Sequence, residues 1–337
     1  MSKETRDRSL RDLMDERGVG AILLSNPANF AWYTGGADNR VDHGDTVGVA
    51  SVLLTGEGSY ILTNNIEAPR MREEQTPEME VVEHPWHEEF AELLRELTGD
   101  AVVGTDVPSG FGQDLSAEIP PLRYVLDEQA IEAYRSLGED TSLAISEAAD
   151  SLSPETDELE AAAELAAACF GRGIFVPVLL AASGERLVRY RHPVPHGGPL
   201  GTQAMLVACA ERGGLFASVT RMIYFEDPDS QTARRQRACE EVLRRMREEA
   251  TRPGRTLAQA FEDCRRFYAE AGFPEGWRDH HQGGMAGYAS REIIATPTTH
   301  QEIREGQAFA WNPSLVGAKA EETFVVGPDG PEILTRL

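Results

Sequence analysis

The sequence predicts two domains, an α/β domain at residues 1–125 and an α+β domain at residues 126–337 in which helices cover an antiparallel sheet. Two observations support this division. The chain has 337 residues, more than one hydrophobic core usually organises. Short strand and helix patterns alternate up to about residue 105, whereas from about Leu126 long helical patterns are separated from groups of strands.

The first domain begins with a helix, because Leu10, Leu13 and Met14 recur at helical spacing. The apolar run at 19–25 then predicts a buried strand that ends in a turn at Asn26-Pro27. The other predicted elements are strands at 47–54, 60–62 and 101–104, a hairpin loop at 56–58 and a helix at 90–97.

The second domain begins with one long amphipathic helix at 128–152. The segment Ser153-Pro154-Glu155-Thr156 predicts the start of the next helix, with proline in its first turn and the helix continuing over 157–170. The remaining predicted elements are strands at 176–181, 204–210 and 215–220, helices at 229–249 and 257–271, and further strands towards the C-terminus.

The charge of the chain limits its partners. A formal net charge of -24 argues against nucleic acid and anionic membrane surfaces, since both require a basic patch. Lys3 and Lys319 are the only lysines, so nearly all positive charge is arginine. The excess of acidic residues indicates adaptation to high salt, whereas a GC-rich genome would explain the shortage of lysine alone.

The sequence offers no export or membrane signal. Residues 1–8 are polar where a secretory signal would be apolar, and the apolar run at 174–182 is shorter than the ~20 residues of a membrane helix. We therefore expect a cytoplasmic protein. The four cysteines lack C-x-x-C pairs, which favours reduced thiols over disulfides or a zinc site.

Several short motifs occur in a specific order along nearly the whole chain. They are SNPANFAWYTGG at 25–36, SPETDEL at 153–159, SG at 183–184, HP at 192–193, TR at 220–221, HHQG at 280–283 and AEET at 320–323. Together they resemble the pita-bread family of Xaa-Pro peptidases and creatinase, preceded by a creatinase-type N-terminal domain. The resemblance implies the pita-bread fold for residues 126–337.

Metal-dependent members of that family hold two divalent ions with two aspartates, a histidine and two glutamates. By motif, these places fall on Val207, Ser218, His280, Asn312 and Glu321. Only His280 and Glu321 keep the family's residue type, and two hard cations need more anionic oxygen than one carboxylate supplies. The resemblance therefore implies a degenerate metal site, and we expect no cofactor.

Creatinase-like members work without metal and use a histidine as acid/base, which corresponds to His192. His280 is followed by Arg291-Glu292 at the spacing of those members. The glutamate that binds the substrate's guanidinium in creatinase is replaced by Thr220 here, which argues against creatine as the substrate. We take His192 and His280 as catalytic candidates. The candidates for substrate binding are Arg291, Glu321, Asn312, Thr220 and Arg221.

Each candidate also has a structural explanation. His192 alone would be interpreted as a loop histidine, and His280-His281 as a structural pair in which position favours His280 for function. Arg291 and Arg221 could form salt bridges with nearby glutamates, and Glu321 could bind a substrate cation or simply pair with an arginine.

The resemblance also implies a homodimer in which the first domain reaches the partner's active site. Tyr33, Arg40 and Arg70 are the candidates for this role, with ordinary packing as the alternative. For the function we predict a metal-independent hydrolase of a small amide-like or amidino-type molecule, or of a short peptide-like substrate. Two alternatives remain open: a non-catalytic protein that binds a ligand or partner, and a metallopeptidase with an atypical metal site.

Overall fold

The computed structural model describes residues 3–108 and 110–337. The chain divides into two compact units, one ending at Gln129 and one spanning Ala130–Leu337. The first is a mixed α/β unit and the second contains antiparallel sheets with helices, so the predicted fold class is confirmed.

The first unit is built around a six-stranded sheet with the order β4-β3-β2-β1-β5-β6. Its strands are β1 Ala21–Leu24, β2 Ala50–Thr55, β3 Ser59–Asn64, β4 Glu80–His84, β5 Val103–Thr105 and β6 Gln113–Asp114. Its helices are α1 Lys3–Arg17, α2 Pro27–Thr34, the short α3 Ala68–Arg70 and α4 Phe90–Thr98. Strands β2 and β1 are the two central strands, β1 pairs in parallel with β5, and β2 and β3 form the predicted hairpin.

The Asn26-Pro27 pair starts a helix instead of a simple turn. The Asn26 side chain accepts a hydrogen bond from the Ala28 amide at 3.0 Å, and Pro27 occupies the first position of α2. Gly35, with φ 80°, ends the helix in the left-handed conformation. The N-cap, the proline and the terminal glycine of the motif at 25–36 thus set where α2 begins and ends.

The second unit contains three antiparallel sheets with the orders β7-β8-β9, β11-β10-β12-β15-β16 and β13-β14. Its strands are β7 Phe175–Ser183, β8 Gln203–Arg212, β9 Leu215–Tyr224, β10 Gly283–Ala286, β11 Ile293–Ile294, β12 Ala308–Trp311, β13 Ser314–Leu315, β14 Ala318–Lys319, β15 Glu322–Gly327 and β16 Gly330–Ile333. Its helices are α5 Glu128–Asp150, α6 Glu158–Phe170, α7 Gly184–Arg189, α8 Ser230–Arg245 and α9 Leu257–Glu270.

Helix α6 begins later than the sequence predicted. Asp157 is its N-cap and accepts a hydrogen bond from the Leu159 amide at 2.8 Å. Pro154 therefore lies in the turn before the helix and not in its first turn, because Asp157 and not Ser153 is the residue that caps the helix.

Two of the sheets are joined where β9 meets the start of β15. The Ser218 amide donates to Thr323 Oγ1 at 2.8 Å, and this hydroxyl donates to the Ser218 carbonyl at 3.0 Å. Next to it, Thr220 and Glu321 form an isolated bridge. The junction brings residues that are about 100 positions apart in sequence to one place, which becomes the candidate site.

The interior of the second unit is apolar around the stacked rings of Phe309, Trp311 and Phe324. All four cysteines are buried free thiols, in agreement with the sequence analysis. Within residues 3–108 and 110–337, the helices are too short or too polar to cross a membrane.

Candidate active site

A cavity of about 560 Å³ lies in the second unit beside the junction of β9 and β15. One wall is apolar and includes Leu180, Val194 and Val207. The polar side chains that line the cavity and matter for its chemistry are His192, His281, Arg291, Asn312, Lys319 and Glu321.

His192 lies on a loop that follows α7. The buried Glu158 carboxylate, at the start of α6, holds the chain before α7 and within this loop: Oε1 accepts from the Ser183 amide at 2.9 Å, and Oε2 accepts from the His196 amide at 3.3 Å. Arg186 also donates to Glu158 Oε2. Helix α6 therefore fixes the loop that carries His192.

His280 and His281 follow a short helical turn and precede β10. The Gln282 side chain donates from Nε2 to the His280 carbonyl at 2.6 Å, and its Oε1 accepts from the Tyr268 hydroxyl at 2.9 Å. Gly283 comes next with φ 102°, and a Cβ atom there would lie 2.1 Å from the Ala310 carbonyl oxygen. Only glycine allows β10 to pass this close to β12 and so to place the two histidines.

The rings of His192 and His280 are hydrogen-bonded through their Nε2 atoms at 2.8 Å. His280 Nδ1 faces the His281 carbonyl oxygen, which can only accept a hydrogen bond. We therefore assign the proton of His280 to Nδ1, so that His280 Nε2 accepts from the Nε2–H of His192. This leaves Nδ1 as the basic atom of a neutral His192.

Desolvation lowers the pKa values of these histidines. The pKa of His280 falls to about 3, chiefly because the ring is buried. Partial desolvation, together with the Lys319 ammonium, lowers the pKa of His192 below its ordinary value. Both rings are consequently neutral near pH 7, as proton acceptance by His192 requires.

Glu321 lies at the centre of a buried ionic cluster. Its Oε2 accepts from Lys319 Nζ at 2.8 Å and from Thr220 Oγ1 at 2.8 Å, and its Oε1 accepts from Arg291 Nη2 at 3.1 Å. Lys319 and Glu321 are two positions apart on extended chain, so their side chains share one face. Burial alone would raise the pKa of Glu321, but the Lys319 and Arg291 cations outweigh it and lower the pKa to about 2.

Two buried polar atoms beside the cavity have no hydrogen-bond partner among the described residues. They are Asn312 Oδ1 and Arg291 Nε. Arg291 also donates from Nη1 to Ser218 Oγ at 3.2 Å, which keeps its guanidinium in place. The site therefore offers one unused acceptor and one unused charged donor to a ligand.

Residues 132–328, more than half of the chain, match the model of metallopeptidase family M24. The chain belongs to metallopeptidase family M24. Residues 6–136 match the creatinase/prolidase N-terminal domain, so this M24 protein has the predicted pita-bread architecture with a creatinase-type first domain. Comparison with curated protein sequences gives no match.

Solved structures share the fold of this M24 protein over nearly its whole length. The prolidase from Pyrococcus horikoshii OT3 has a TM-score of 0.83 at 19% identity, with 98% of each chain covered. The Xaa-Pro dipeptidase from Bacillus anthracis has a TM-score of 0.82 at 18% identity, covering 100% of this chain and 98% of that chain. The N-terminal domain of the FACT complex subunit SPT16 from Cicer arietinum has a TM-score of 0.72 at 14% identity, covering 99% and 96%.

The residues of this M24 protein do not fit the pair of metal ions that the family name implies. Val207 packs in an apolar cluster with Leu180 and Met205. Asn312 is neutral, and the Glu321 carboxylate is already shared by two side-chain cations. Two dications placed beside Lys319 and Arg291 would meet repulsion where they need anionic oxygen.

A different group of possible metal ligands is present. His192, His280 and His281 each offer a ring nitrogen, and these atoms lie within 4.8 Å of one another. Three neutral imidazoles are a donor set for one borderline ion such as Zn²⁺. The Lys319 cation, whose field lowers the pKa values of all three rings, opposes such binding.

The structure brings most of the predicted site residues together. His192, Arg291, Asn312 and Glu321 line one cavity, as do Val207 and Ser218, the positions that the resemblance assigns to two metal ligands. Thr220 donates a hydrogen bond to Glu321 and lines a neighbouring cavity.

Besides Thr220, two of the predicted catalytic and substrate-binding residues do not line the cavity. His280 lies behind His192 and is only 8% exposed, and it contacts the His192 ring. Arg221 binds Ser146 at 2.9 Å and lies close to Asp150, because alternate residues of β9 point to opposite faces. Arg221 lines the neighbouring cavity and is not part of this site.

Two cavity residues were missed by sequence reasoning. His281 was ranked below His280, yet it is His281 that lines the cavity. Lys319 was counted only as one of two lysines, although a lysine retained in a lysine-poor chain two positions before Glu321 was a usable signal.

The three residues predicted to reach a partner subunit all make contacts within the first unit. Tyr33 is fully buried, and its hydroxyl donates to Asp7, so this side chain is part of the core. Arg40 pairs with Asp38 at 2.9 Å, and Arg70 pairs with Glu67 at 2.9 Å. A contribution of Arg40 or Arg70 to a partner stays a prediction.

Proposed function

We propose that this M24 protein is a metal-independent hydrolase of a small amide or short peptide-like substrate, with His192 as its acid/base. The observation that carries the proposal is the pair of His192 and His280. His280 fixes the tautomer of His192 and leaves Nδ1 of His192 as a base in a cavity that also holds donors.

In the proposed reaction, His192 Nδ1 takes a proton from a water molecule while the water oxygen bonds to the amide carbonyl carbon. The carbonyl π electrons move to the carbonyl oxygen. When the C–N bond breaks, the proton passes from His192 to the leaving nitrogen. The products are a carboxylic acid and an amine, so atoms and protons balance.

The charge of the cavity favours an amide over an amidino-type substrate. A cationic amidino group needs a carboxylate, and Glu321 already binds Lys319 and Arg291. A neutral amide has no such requirement and can donate its N–H to Asn312 Oδ1, which is buried and unpaired.

The test is a hydrolysis screen with a panel of N-acyl amino acids and dipeptides, in buffer treated with a chelating resin. For any substrate found, His192→Asn should lower kcat by roughly 100- to 10,000-fold and change KM by less than about tenfold. His196→Asn is the matched control, because His196 is exposed on the same loop outside the cavity, and it should keep wild-type rates. Near-normal turnover by His192→Asn would show that the acid/base assignment is wrong.

The cluster of three histidines supports a second candidate, a peptidase with one metal ion in an atypical site. In that case the hydrolysis screen would give activity only after Zn²⁺ is added, and His281→Ala would remove Zn²⁺ binding. If no panel member is cleaved with or without metal, the non-catalytic ligand-binding alternative is favoured.

A further inference from the structure

The three histidines beside the cavity form a ligand set that differs from the family's metal site. Of the five places that the family resemblance assigns to metal ligands, only His280 belongs to this cluster. His192 and His281 are exposed to solvent, whereas His280 is buried. An ion can therefore reach the cluster from water, and it meets neutral nitrogen donors in place of carboxylates.

The distances within the cluster suit one tetrahedral ion. The Nε2 atoms of His192 and His280 are 2.8 Å apart. Two nitrogen ligands of one zinc ion, each about 2.0–2.1 Å from the metal and at the tetrahedral angle, lie roughly 3.3 Å apart. The two rings therefore need to separate by only about 0.5 Å. His281 offers the third ring nitrogen, within 4.8 Å of the other two, and water can take the fourth position.

His280 is already in the state that a metal ligand requires. Its Nδ1 faces the His281 carbonyl oxygen, so its proton is on Nδ1 and its Nε2 carries a lone pair. Metal-binding histidines commonly donate their other N–H to a carbonyl or carboxylate, which fixes the tautomer and the ring. The Nε2 lone pair accepts from the His192 ring in the structure, and an ion would take the place of that hydrogen bond.

We propose that one borderline divalent ion such as Zn²⁺ binds His192, His280 and His281 and thereby inhibits the enzyme. When the ion binds Nε2 of His192, the single proton of that neutral ring moves to Nδ1, and the basic atom is lost. When the ion binds Nδ1, it occupies the basic atom directly. Both modes remove the acid/base, so the ion acts in the opposite sense to the ions of a metallopeptidase.

Lys319 makes this site selective and weak. Its cation acts on all three rings, and repulsion between an ammonium group and a dication lowers the affinity. The ion is therefore held reversibly and is lost during purification. Hard ions such as Mg²⁺ need anionic oxygen, and the Glu321 carboxylate is already shared by Lys319 and Arg291. Borderline ions are therefore the class that the cluster selects.

The binding of the ion rests on the histidine cluster alone, whereas inhibition rests on the proposed function. The first test is calorimetric titration with Zn²⁺ and Mg²⁺ at one KCl concentration, on protein treated with a chelating resin beforehand. About one equivalent of Zn²⁺ should bind, roughly tenfold or more tightly than Mg²⁺.

Three variants test which residues form the site. His281→Ala removes one ligand and should weaken Zn²⁺ binding by roughly tenfold or more. His196→Ala is the matched control, because it removes an exposed histidine on the His192 loop outside the cluster, and it should leave binding unchanged. Lys319→Met removes the opposing charge and should strengthen binding by roughly tenfold.

Nuclear magnetic resonance of protein labelled with ¹⁵N-histidine tests the loss of the base without any substrate. His192 should show a protonated Nε2 and a free Nδ1 before Zn²⁺ is added. Saturating Zn²⁺ should shift the Nδ1 signal away from that of a free nitrogen, and His192→Asn identifies which signal belongs to this ring. For any substrate found, Zn²⁺ should abolish turnover over the same concentration range in which it binds.

Absence of Zn²⁺ binding, or unchanged binding by folded His281→Ala, would overturn the site. Should His281→Ala fail to fold, the preference of the wild-type protein for Zn²⁺ over Mg²⁺ decides the question. A free His192 Nδ1 at saturating Zn²⁺, or faster turnover with Zn²⁺, would overturn the inhibition. Near-normal turnover by His192→Asn would remove the acid/base assignment and still leave a measured Zn²⁺ site intact.

Discussion

Replacing Glu321 with glutamine tests the charge balance on which the site depends. Glu321→Gln keeps the shape of the side chain and removes its charge, so Lys319 and Arg291 lose their shared anion while staying buried. We expect the second unit to be destabilised by about 3 kcal/mol at pH 7, because breaking a buried ion pair leaves uncompensated charge behind.

The magnitude also follows from the pKa of Glu321. Its ordinary value is 4.5, and the two cations lower the pKa to about 2. A tenfold change in proton affinity corresponds to about 1.4 kcal/mol, so this difference is worth about 3 kcal/mol. Because the folded pKa lies below the unfolded one, the stabilisation is complete above about pH 4.5 and is lost as the pH falls towards 2.

Urea unfolding at several pH values, at one KCl concentration, measures both effects. The stability difference between wild type and Glu321→Gln should be largest near pH 7 and shrink below about pH 4.5. Glu332→Gln is the control, because Glu332 binds Arg135 on the surface and its loss should cost under about 1 kcal/mol. If Glu321→Gln also costs under about 1 kcal/mol, the cluster does not depend on its carboxylate and the charge argument fails.

Three further predictions follow from the sequence. Elemental analysis of protein purified without chelator should find no stoichiometric Mn, Co or Zn; two equivalents of a transition metal would contradict the absence of a dinuclear site. The melting temperature should be higher in molar KCl than in dilute buffer, because salt screens the repulsion within a chain of net charge -24; an unchanged or lower midpoint would speak against salt adaptation. Light scattering in high salt should give the mass of a homodimer, and a monomer would remove Arg40 and Arg70 as residues acting on a partner.

Periodicity and local signals were sufficient to predict most elements of the fold. Helix α5 and strands β7, β8 and β9 lie close to their predicted positions, since long periodic patterns are the most reliable local signal. Strand β4 and helix α7 were not predicted at all, and other errors occurred at element starts. At Asn26-Pro27 and at Asp157 a capping side chain decided where a helix begins, and several nearby residues could have served as the cap.

The site was predicted less completely, because it depends on which faces of the strands meet. The order of the motifs was enough to gather His192, Arg291, Asn312 and Glu321. It could not place Arg221 on the opposite face of β9. Nor did it identify Lys319, because the two-residue spacing from Glu321 predicts a shared face of extended chain but not that this face lines the cavity.

The Glu158 carboxylate has a consequence for how relatives of this chain are compared. It binds Ser183 at the end of β7, Arg186 in α7 and His196 on the His192 loop, yet it does not line the cavity. A chain with every cavity residue intact but a different residue at this position would hold its histidine on an untethered loop. Judging whether a relative is an enzyme from the cavity alone would then give the wrong answer, because part of the information lies in the first turn of a neighbouring helix.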